Sequence, residues 1–124
     1  MIDSVSKVII IILLSTPFQT KAGEKLVNCE IVSLGRIAYK GECLFFPMDK
    51  AGSFELSHPS KKKITDDIVK MHVYVVGKDT AIVRGQTIIN IDSLWGNSKR
   101  YSKDRACWIN SEFDQFKVCA WEIK

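Results

Sequence analysis

The chain has 124 residues, 18 of them lysine or arginine and 14 aspartate or glutamate, which gives a net charge of +4 at pH 7. This length suits a single domain with one modest hydrophobic core. A small, diffuse positive charge argues against a nucleic-acid partner, and two histidines without a Cys-x-x-Cys motif argue against a zinc site.

The N-terminal segment, residues 1–22, is predicted to be a signal peptide. Lys7 precedes an unbroken apolar run at 8–14, and small residues follow at the −3 and −1 positions of a cleavage site. The run is shorter than the roughly 20 residues that a membrane-spanning helix needs. We therefore expect no stable membrane span after cleavage, the alternative being an uncleaved N-terminal anchor. The mature chain, residues 23–124, is expected to be periplasmic or secreted.

All four cysteines lie beyond the predicted cleavage site. An even number of cysteines in an exported chain predicts two disulfides. Four cysteines allow three pairings, and we favour the local ones because each local pair sits symmetrically about a turn signal. Closing loops of this length stabilises a fold by roughly 3 kcal/mol each in the chain-entropy model. The favoured disulfides are Cys29–Cys43 and Cys107–Cys119.

Alternation of apolar and polar residues predicts three strands in the first part of the mature chain. Gly35 supplies the turn between the first two. Reflection of the sequence about Gly35 and Arg36 places Cys43 opposite Cys29 to within one residue. The three strands are at 26–32, 37–46 and 53–57.

A second hairpin is predicted at 71–76 and 80–84, where β-branched runs flank a Gly-Lys-Asp connector. Three consecutive lysines, 61–63, lie in the loop before it and are expected to form a solvated edge. After the hairpin, the apolar pattern at 86–91 indicates a further strand. Residues 92–105 show no clear periodicity and are predicted to be a loop.

Two apolar runs at 106–110 and 117–121 are each centred on a cysteine and are predicted to pair as a hairpin. Counting inward from both ends places Cys107 opposite Cys119. The whole pattern amounts to about seven short strands. It predicts an all-β fold, either a small disulfide-braced antiparallel sandwich or a partly open barrel, formed by residues 23–124 as a single β domain with two disulfides.

Side chains suited to catalysis are few, and none is predicted to be catalytic. His72 lies in a predicted strand, where a structural role is the ordinary one, and His58 lies in a loop without an evident partner. Asp66 and Asp67 are adjacent, so on a strand they would point to opposite faces and could not share acid–base chemistry. We therefore predict a protein that is not an enzyme and that holds no metal ion and no cofactor.

The segment 95–105 is the candidate binding site. It combines four cations and a single acid with aromatic side chains of the types that dominate interface hot spots. Held against a disulfide-braced hairpin, such a loop would be a preorganised plug for an acidic cleft. The alternative is a solvated basic loop whose Trp95 packs on the core. The predicted partner-binding residues are Trp95, Lys99, Arg100, Tyr101, Lys103 and Arg105.

Three sequence elements carry a resemblance to known proteins. They are a Gly-x-Cys-x-Phe element at 41–45, a Gly-Ser-Phe element at 52–54 and a closing Ala-Cys-Trp-x-Asn…Cys-Ala-Trp element at 106–121. With these elements the chain resembles small exported bacterial proteins of unassigned function, and the resemblance implies fold more than activity. In size, signal peptide and β content the chain is also similar, at the level of class, to periplasmic lysozyme inhibitors and toxin-immunity proteins.

These observations lead to an expected function. Glycoside hydrolases act with paired carboxylates, which a cationic loop would neutralise and occlude. We expect a periplasmic binding or inhibitor protein of the immunity type, whose protein partner is a cell-wall hydrolase of the lysozyme kind or a toxin. The alternative is a structural or accessory envelope protein with no enzyme target.

Overall fold

The computed structural model describes residues 23–110 and 115–123. Its eight strands are β1 (Lys25–Ser33), β2 (Arg36–Pro47), β3 (Phe54–Ser57), β4 (Ile68–Gly77), β5 (Thr80–Thr87), β6 (Asp92–Arg100), β7 (Cys107–Asn110) and β8 (Phe116–Glu122). Each strand pairs antiparallel with the next, and β1 also pairs with β8, which closes the sheet into one barrel. The predicted signal peptide, residues 1–22, lies outside the described residues. Within them, no helix is long and apolar enough to cross a lipid bilayer.

One face of each strand points into the barrel, and side chains fill the interior as a packed core. Alternation is clearest along β1, where Val27, Cys29 and Ile31 are buried while Asn28 between them is exposed. Closure of the sheet pairs both of its edges around this core. The core comprises Val27, Cys29, Ile31, Cys43, Phe54, Leu56, Ile64, Ile68, Met71, Val73, Ala81, Val83, Trp108, Phe116 and Val118.

The prediction of an antiparallel all-β fold is confirmed, and of the two predicted architectures the barrel is the observed one. The barrel is closed, and it gains an eighth strand because part of the predicted loop at 92–105 forms β6. A β-bulge hides the strand pattern there, since Trp95 is an extra residue that shifts the register between β5 and β6. Gly96 beside it has a φ of 110°, a left-handed value that favours glycine.

The strand predicted at 86–91 is wrong beyond Thr87, where β5 ends. The residues that follow, 88–91, form a turn in which Asn90 takes a left-handed φ of 68°, a conformation that asparagine tolerates well. The backbone N–H of Asn90 donates to the carbonyl of Thr87 at 2.9 Å. The β-branched run therefore protrudes as a hairpin turn and does not continue the sheet.

The Cys29–Cys43 disulfide lies inside the core. The predicted pairing of these cysteines is confirmed, but their predicted register is wrong, because Cys29 lies opposite Gly41 and the bridge runs diagonally between β1 and β2. An earlier turn and a β-bulge together account for the difference. The bulge makes Ala38 an extra residue of β2, between the partners of Ile31 and Val32, and so shifts the register by one. Leu34 and Gly35 both take left-handed φ values, 55° and 76°, and form the two-residue turn, which is thus centred one residue earlier than predicted.

The Cys107–Cys119 disulfide lies on the outer face of the barrel wall. The two cysteines pair directly across β7 and β8, as predicted. The neighbouring pair, Trp108 and Val118, belongs to the core, so strand alternation places the two sulfur atoms on the opposite face. Both cysteines are nevertheless buried, which means that another part of the chain covers this face.

Alternate connections of an up-and-down barrel lie at the same end, so the molecule has two distinct ends. We name them the Asp79 end and the Ile89 end after one residue in each. The Asp79 end is formed by the connections at 48–53, 78–79 and 101–106. The Ile89 end is formed by the connections at 34–35, 58–67 and 88–91.

Candidate functional site

The predicted partner-binding residues lie on β6, from Trp95 onward, and on the β6–β7 loop, residues 101–106, which belongs to the Asp79 end. The structure gives these side chains three different environments. Trp95 packs against the core, whereas Arg100 and Arg105 belong to an ion cluster. The remaining side chains are at or near the surface.

Asp79 binds two of the predicted cations. Its Oδ1 accepts a hydrogen bond from Arg105 Nη2 at 2.8 Å, and Arg100 Nε lies 3.7 Å from the same oxygen, an ion pair too long to be a hydrogen bond. The backbone N–H of Arg100 donates to the carbonyl of Asp79 at 3.0 Å. Arg100 Nη1 also donates to the carbonyl of Arg105 at 3.0 Å. These contacts fasten the β4–β5 turn to the β6–β7 loop.

Arg100 also contacts the core near the Asp79 end of the barrel. Its guanidinium carbon lies 4.1 Å from the centroid of the Trp108 ring, a distance at which a cation is attracted to the ring face. Trp108 itself is 1 % exposed. Because Asp79 already balances its charge, Arg100 is best described as a positioning residue that holds the loop on the barrel.

Trp95 supports β6 from the inner face of the wall. Its ring packs edge-on against Phe116, with centroids 5.0 Å apart, and its indole N–H donates to Ser93 Oγ at 3.1 Å. The side chain is half-buried against the core. This environment agrees with the alternative interpretation in which Trp95 packs on the core, and its part in partner binding stays a prediction.

Asp104 closes the β6–β7 loop over the barrel wall. Its Oδ1 accepts the backbone N–H of Ala106 at 3.0 Å, and its Oδ2 accepts the indole N–H of Trp121 at 2.9 Å. The carbonyl of Asp104 accepts the N–H of Cys107, also at 3.0 Å. Since Trp121 is on β8, these bonds tie the loop to the strand that carries Cys119, on the face where the buried disulfide needs cover.

Three residues that fix the loop are absent from the predicted site, namely Asp79, Asp104 and Trp121. Asp104 carries a local signal, because an aspartate whose side chain accepts the N–H two residues on is the pattern of an Asx turn. Asp79 carries none, since 26 positions separate it from Arg105 and only the fold brings the two together.

The cations that remain at the surface are Lys99, Lys103 and Arg105. Lys99 and Lys103 are exposed, and the Arg105 side chain is 66 % exposed even though it bonds Asp79. Tyr101 between them is half-buried. The loop thus presents positive charge on a backbone that its own hydrogen bonds hold in place.

Two clefts border this surface. One of about 490 Å³ runs along the contact between β6 and β7 and is lined in part by Lys99, and another of about 260 Å³ lies beside Tyr101. Ile109 and Asn110 line both. Ser98 lines the first cleft, and its buried hydroxyl has no hydrogen-bond partner among the described residues. The clefts offer concave surface for side chains of a partner.

We expect the loop to loosen at low pH through Asp79 and Asp104. The hydrogen bond from Arg105 lowers the pKa of Asp79 below its ordinary range, and that from Trp121 does the same for the pKa of Asp104. Because the folded pKa lies below the unfolded value of about 3.9, the stabilisation is present above that pH and is lost as pH falls through the folded pKa.

An NMR titration of the Trp121 indole N–H tests this expectation, because that proton bonds Asp104 directly. As the pH is lowered, this resonance should keep its folded chemical shift past a pH of about 3.9 and should move only at still lower pH. The Asp104→Asn variant should lack this transition at the same resonance. A transition centred at the ordinary carboxyl pKa or above it would contradict the assignment.

The two histidines are held in small polar contacts away from this loop. His58 Nδ1 accepts the backbone N–H of Ser60 at 3.0 Å. His72 Nε2 lies 3.2 Å from Glu55 Oε1, and both of these side chains are largely buried. In residues 23–110 and 115–123, no group of three or more His, Cys, Asp or Glu side chains is placed to hold a metal ion. The prediction that the protein is not an enzyme stays a prediction.

Comparison with known proteins gives no relative for this chain. No family model matches it, and neither a curated protein nor a solved structure does. The resemblance to small exported bacterial proteins stays a prediction.

Proposed function

We propose that the protein is a periplasmic binding protein of the inhibitor or immunity type, which blocks a cell-wall hydrolase or a toxin. The blocking segment is residues 99–105, the end of β6 and most of the β6–β7 loop. The observation that carries the proposal is the fastening of this loop by Asp79 and Asp104, which leaves Lys99 and Lys103 exposed on a fixed backbone. A loop that is ordered before binding loses less conformational entropy when the partner arrives.

The chemistry of the loop suits an acidic cleft. Hydrolases of glycosidic bonds place two carboxylates about the scissile bond, and a lysine between them would offset part of their negative charge and exclude the substrate. In this proposal Lys99, Tyr101, Lys103 and Arg105 contact the partner. Arg100 keeps them in place, because its guanidinium is held between Asp79 and the Trp108 ring.

The disulfides support the proposed compartment. Both connect cysteines that lie in the folded barrel, and disulfides of this kind persist in oxidising compartments outside the cytoplasm. The predicted signal peptide agrees with export. The periplasm, as the specific destination, is part of the proposal.

We expect the double variant Lys99→Ala/Lys103→Ala to weaken inhibition of the target hydrolase by roughly tenfold to a hundredfold, because each lysine loses a charge contact at the interface. The measurement is the inhibition constant of the purified protein against a panel of lysozymes and the hydrolases encoded beside it. The matched control is Lys61→Ala/Lys62→Ala, which removes the same charge at the Ile89 end and should leave the inhibition constant unchanged.

Two outcomes would remove the proposal. One is the absence of inhibition of every hydrolase and toxin in the panel by the wild-type protein. The other is inhibition that both double variants retain in full, which would place the inhibitory surface elsewhere.

A second candidate function is a structural or accessory protein of the cell envelope. The observation that favours it is the internal use of Arg100 and Arg105, both of which pair with Asp79. This function predicts tolerance of the Lys99→Ala/Lys103→Ala change and co-purification with an envelope assembly. An inhibition constant that depends on the two lysines would decide against it.

A further inference from the structure

Exposed aliphatic side chains concentrate at the Ile89 end. Of the ten large apolar side chains exposed in the described part of the chain, six lie there. On the β5–β6 turn, Ile88 and Ile89 are 67 % and 71 % exposed. Four of the six lie on or close to this turn, and a concentration of exposed apolar side chains of this kind marks an interaction surface. The six side chains are those of Leu34, Ile37, Ile88, Ile89, Ile91 and Leu94.

The turn that carries the isoleucines is ordered by its own hydrogen bonds. The N–H of Thr87 donates to the carbonyl of Ile91 at 2.9 Å, and the N–H of Ile91 donates to Thr87 Oγ1 at 3.0 Å. The side-chain amide of Gln86 also bonds Asn90 Oδ1. Ile88 and Ile89 are therefore held out from the barrel on a fixed turn, away from the core.

Lysines lie beside this turn. Ile88 shares one surface depression with Lys61, Lys62, Lys63 and Lys70. The first three of these lysines are exposed, and Lys70 is half-buried. Aliphatic and cationic side chains are thus contiguous at this end.

Carboxylates offset part of this positive charge. Lys61 Nζ lies 4.0 Å from Glu24, and Lys63 Nζ lies 3.6 Å from Asp67. The charge that remains is small and positive, so apolar contact must contribute more to any binding here than charge does. The other exposed charged side chains at this end are those of Arg36, Asp66, Arg84 and Asp92.

The composition of the Ile89 end favours a lipid bilayer over a protein partner. Protein interfaces are enriched in Trp, Tyr and Arg, and the described connections of the Ile89 end, 34–35, 58–67 and 88–91, contain none of these three residue types. Binding to an anionic membrane surface uses inserted aliphatic side chains with cations at headgroup level.

We propose that the Ile89 end docks on a lipid bilayer that carries anionic headgroups. Ile88 and Ile89 enter the boundary between headgroups and acyl chains, and Lys62, Lys63 and Lys70 face the headgroups. The barrel stays outside the bilayer, with the Asp79 end directed away from it. This inference is independent of the proposed inhibitor function.

The first test is co-sedimentation with vesicles made of equal parts phosphatidylcholine and phosphatidylglycerol. We expect the wild-type protein to bind, and the Ile88→Ser/Ile89→Ser variant to lose roughly a hundredfold or more in partition coefficient, since two isoleucines leave the apolar phase. The control, Val76→Ser, removes an exposed aliphatic side chain from the end of β4 at the Asp79 end and should bind like the wild type.

The second test separates the charge contribution. The Lys62→Gln/Lys63→Gln/Lys70→Gln variant should bind the mixed vesicles about tenfold or more weakly at low salt. This difference should disappear on vesicles of phosphatidylcholine alone and should shrink at high salt. The Lys99→Gln/Lys103→Gln variant, altered at the Asp79 end, should bind the mixed vesicles like the wild type.

A depth measurement reports on the turn itself. A tryptophan introduced by Ile89→Trp should be quenched by lipids brominated in their acyl chains, whereas one introduced by Val76→Trp should not. Wild-type binding that the serine variant retains, or equal quenching at both positions, would overturn the proposal. So would self-association that the serine variant abolishes without any vesicle binding, because the turn would then be a contact between copies of the chain.

Discussion

Replacing Trp108 by alanine is expected to lower the free energy of unfolding by about 4 kcal/mol, the range found when a large aromatic side chain is removed from a core. Trp108 is 1 % exposed and belongs to the barrel core, so the substitution leaves a cavity that rigid strands cannot fill. It also removes the ring beneath Arg100. A loss of this size is a large part of the roughly 5–15 kcal/mol that stabilises a domain.

Urea unfolding followed by far-UV circular dichroism measures this loss. Trp108→Phe keeps an aromatic ring and should lose clearly less, while Trp121→Phe, at a half-buried position on β8, should lose only the hydrogen bond to Asp104 and part of the ring contact. If Trp108→Ala unfolds at the same urea concentration as Trp121→Phe, then Trp108 does not have the central place in the core that we assign to it.

Removal of the interior disulfide by Cys29→Ala/Cys43→Ala is expected to lower the free energy of unfolding by roughly 3–5 kcal/mol. Loss of the cross-link accounts for roughly 3 kcal/mol, since the bridge closes a loop with a sequence separation of 14. The remainder comes from packing, because both sulfur atoms lie in the core and alanine leaves space there.

The outer disulfide is the matched control. It closes a loop of similar length, with a sequence separation of 12, but lies outside the core. Cys107→Ala/Cys119→Ala should therefore lose the cross-link contribution, about 3 kcal/mol, and a smaller packing contribution, because these cysteines are buried at the outer face and not within the core cluster. Urea unfolding of both double variants gives the comparison, and a larger loss for the outer pair would contradict the placement of the two bridges.

Short-range patterns in the sequence predicted much of this fold. Within a hairpin, alternation and turn residues determine which residues face each other, and so both disulfides and the pairing of Cys107 with Cys119 were predictable. The predicted register of the first hairpin was wrong, because its turn lies one residue earlier than predicted and a bulge follows in β2. Its turn uses a leucine, Leu34, in a left-handed conformation, and no composition rule favours leucine there.

Features that depend on contacts between distant parts of the chain could not be predicted from the sequence. β6 was missed because the bulge at Trp95 interrupts its alternation, and closure of the barrel depends on pairing between β1 and β8, at opposite ends of the domain. The candidate site shows the same division. Its cations were visible as a cluster, whereas their attachment to Asp79 arises only when the β4–β5 turn meets the β6–β7 loop.

The isoleucines on the β5–β6 turn lie in a run that predicts a strand from its residue types alone. β-Branched residues favour strands because they pack well on a half-buried pleated surface. Asn90 converts this run into a turn and leaves the same residues in solvent. A sequence rule that equates such residues with burial therefore gives the wrong environment at the point where we propose contact with lipid.

Among the residues that the structure describes, β6 pairs with β7 through two residue pairs, Lys99–Ile109 and Arg100–Trp108, which is fewer than join any other two neighbouring strands. The outer cross-link joins β7 to β8 and does nothing to reinforce this junction. If β6 and β7 separated, the closed barrel would become an open sheet with two unpaired edge strands. Unpaired edge strands are the usual sites at which one chain pairs with another. Resistance to aggregation in concentrated solution therefore depends on the pairing of β6 with β7, the shortest described pairing in the barrel.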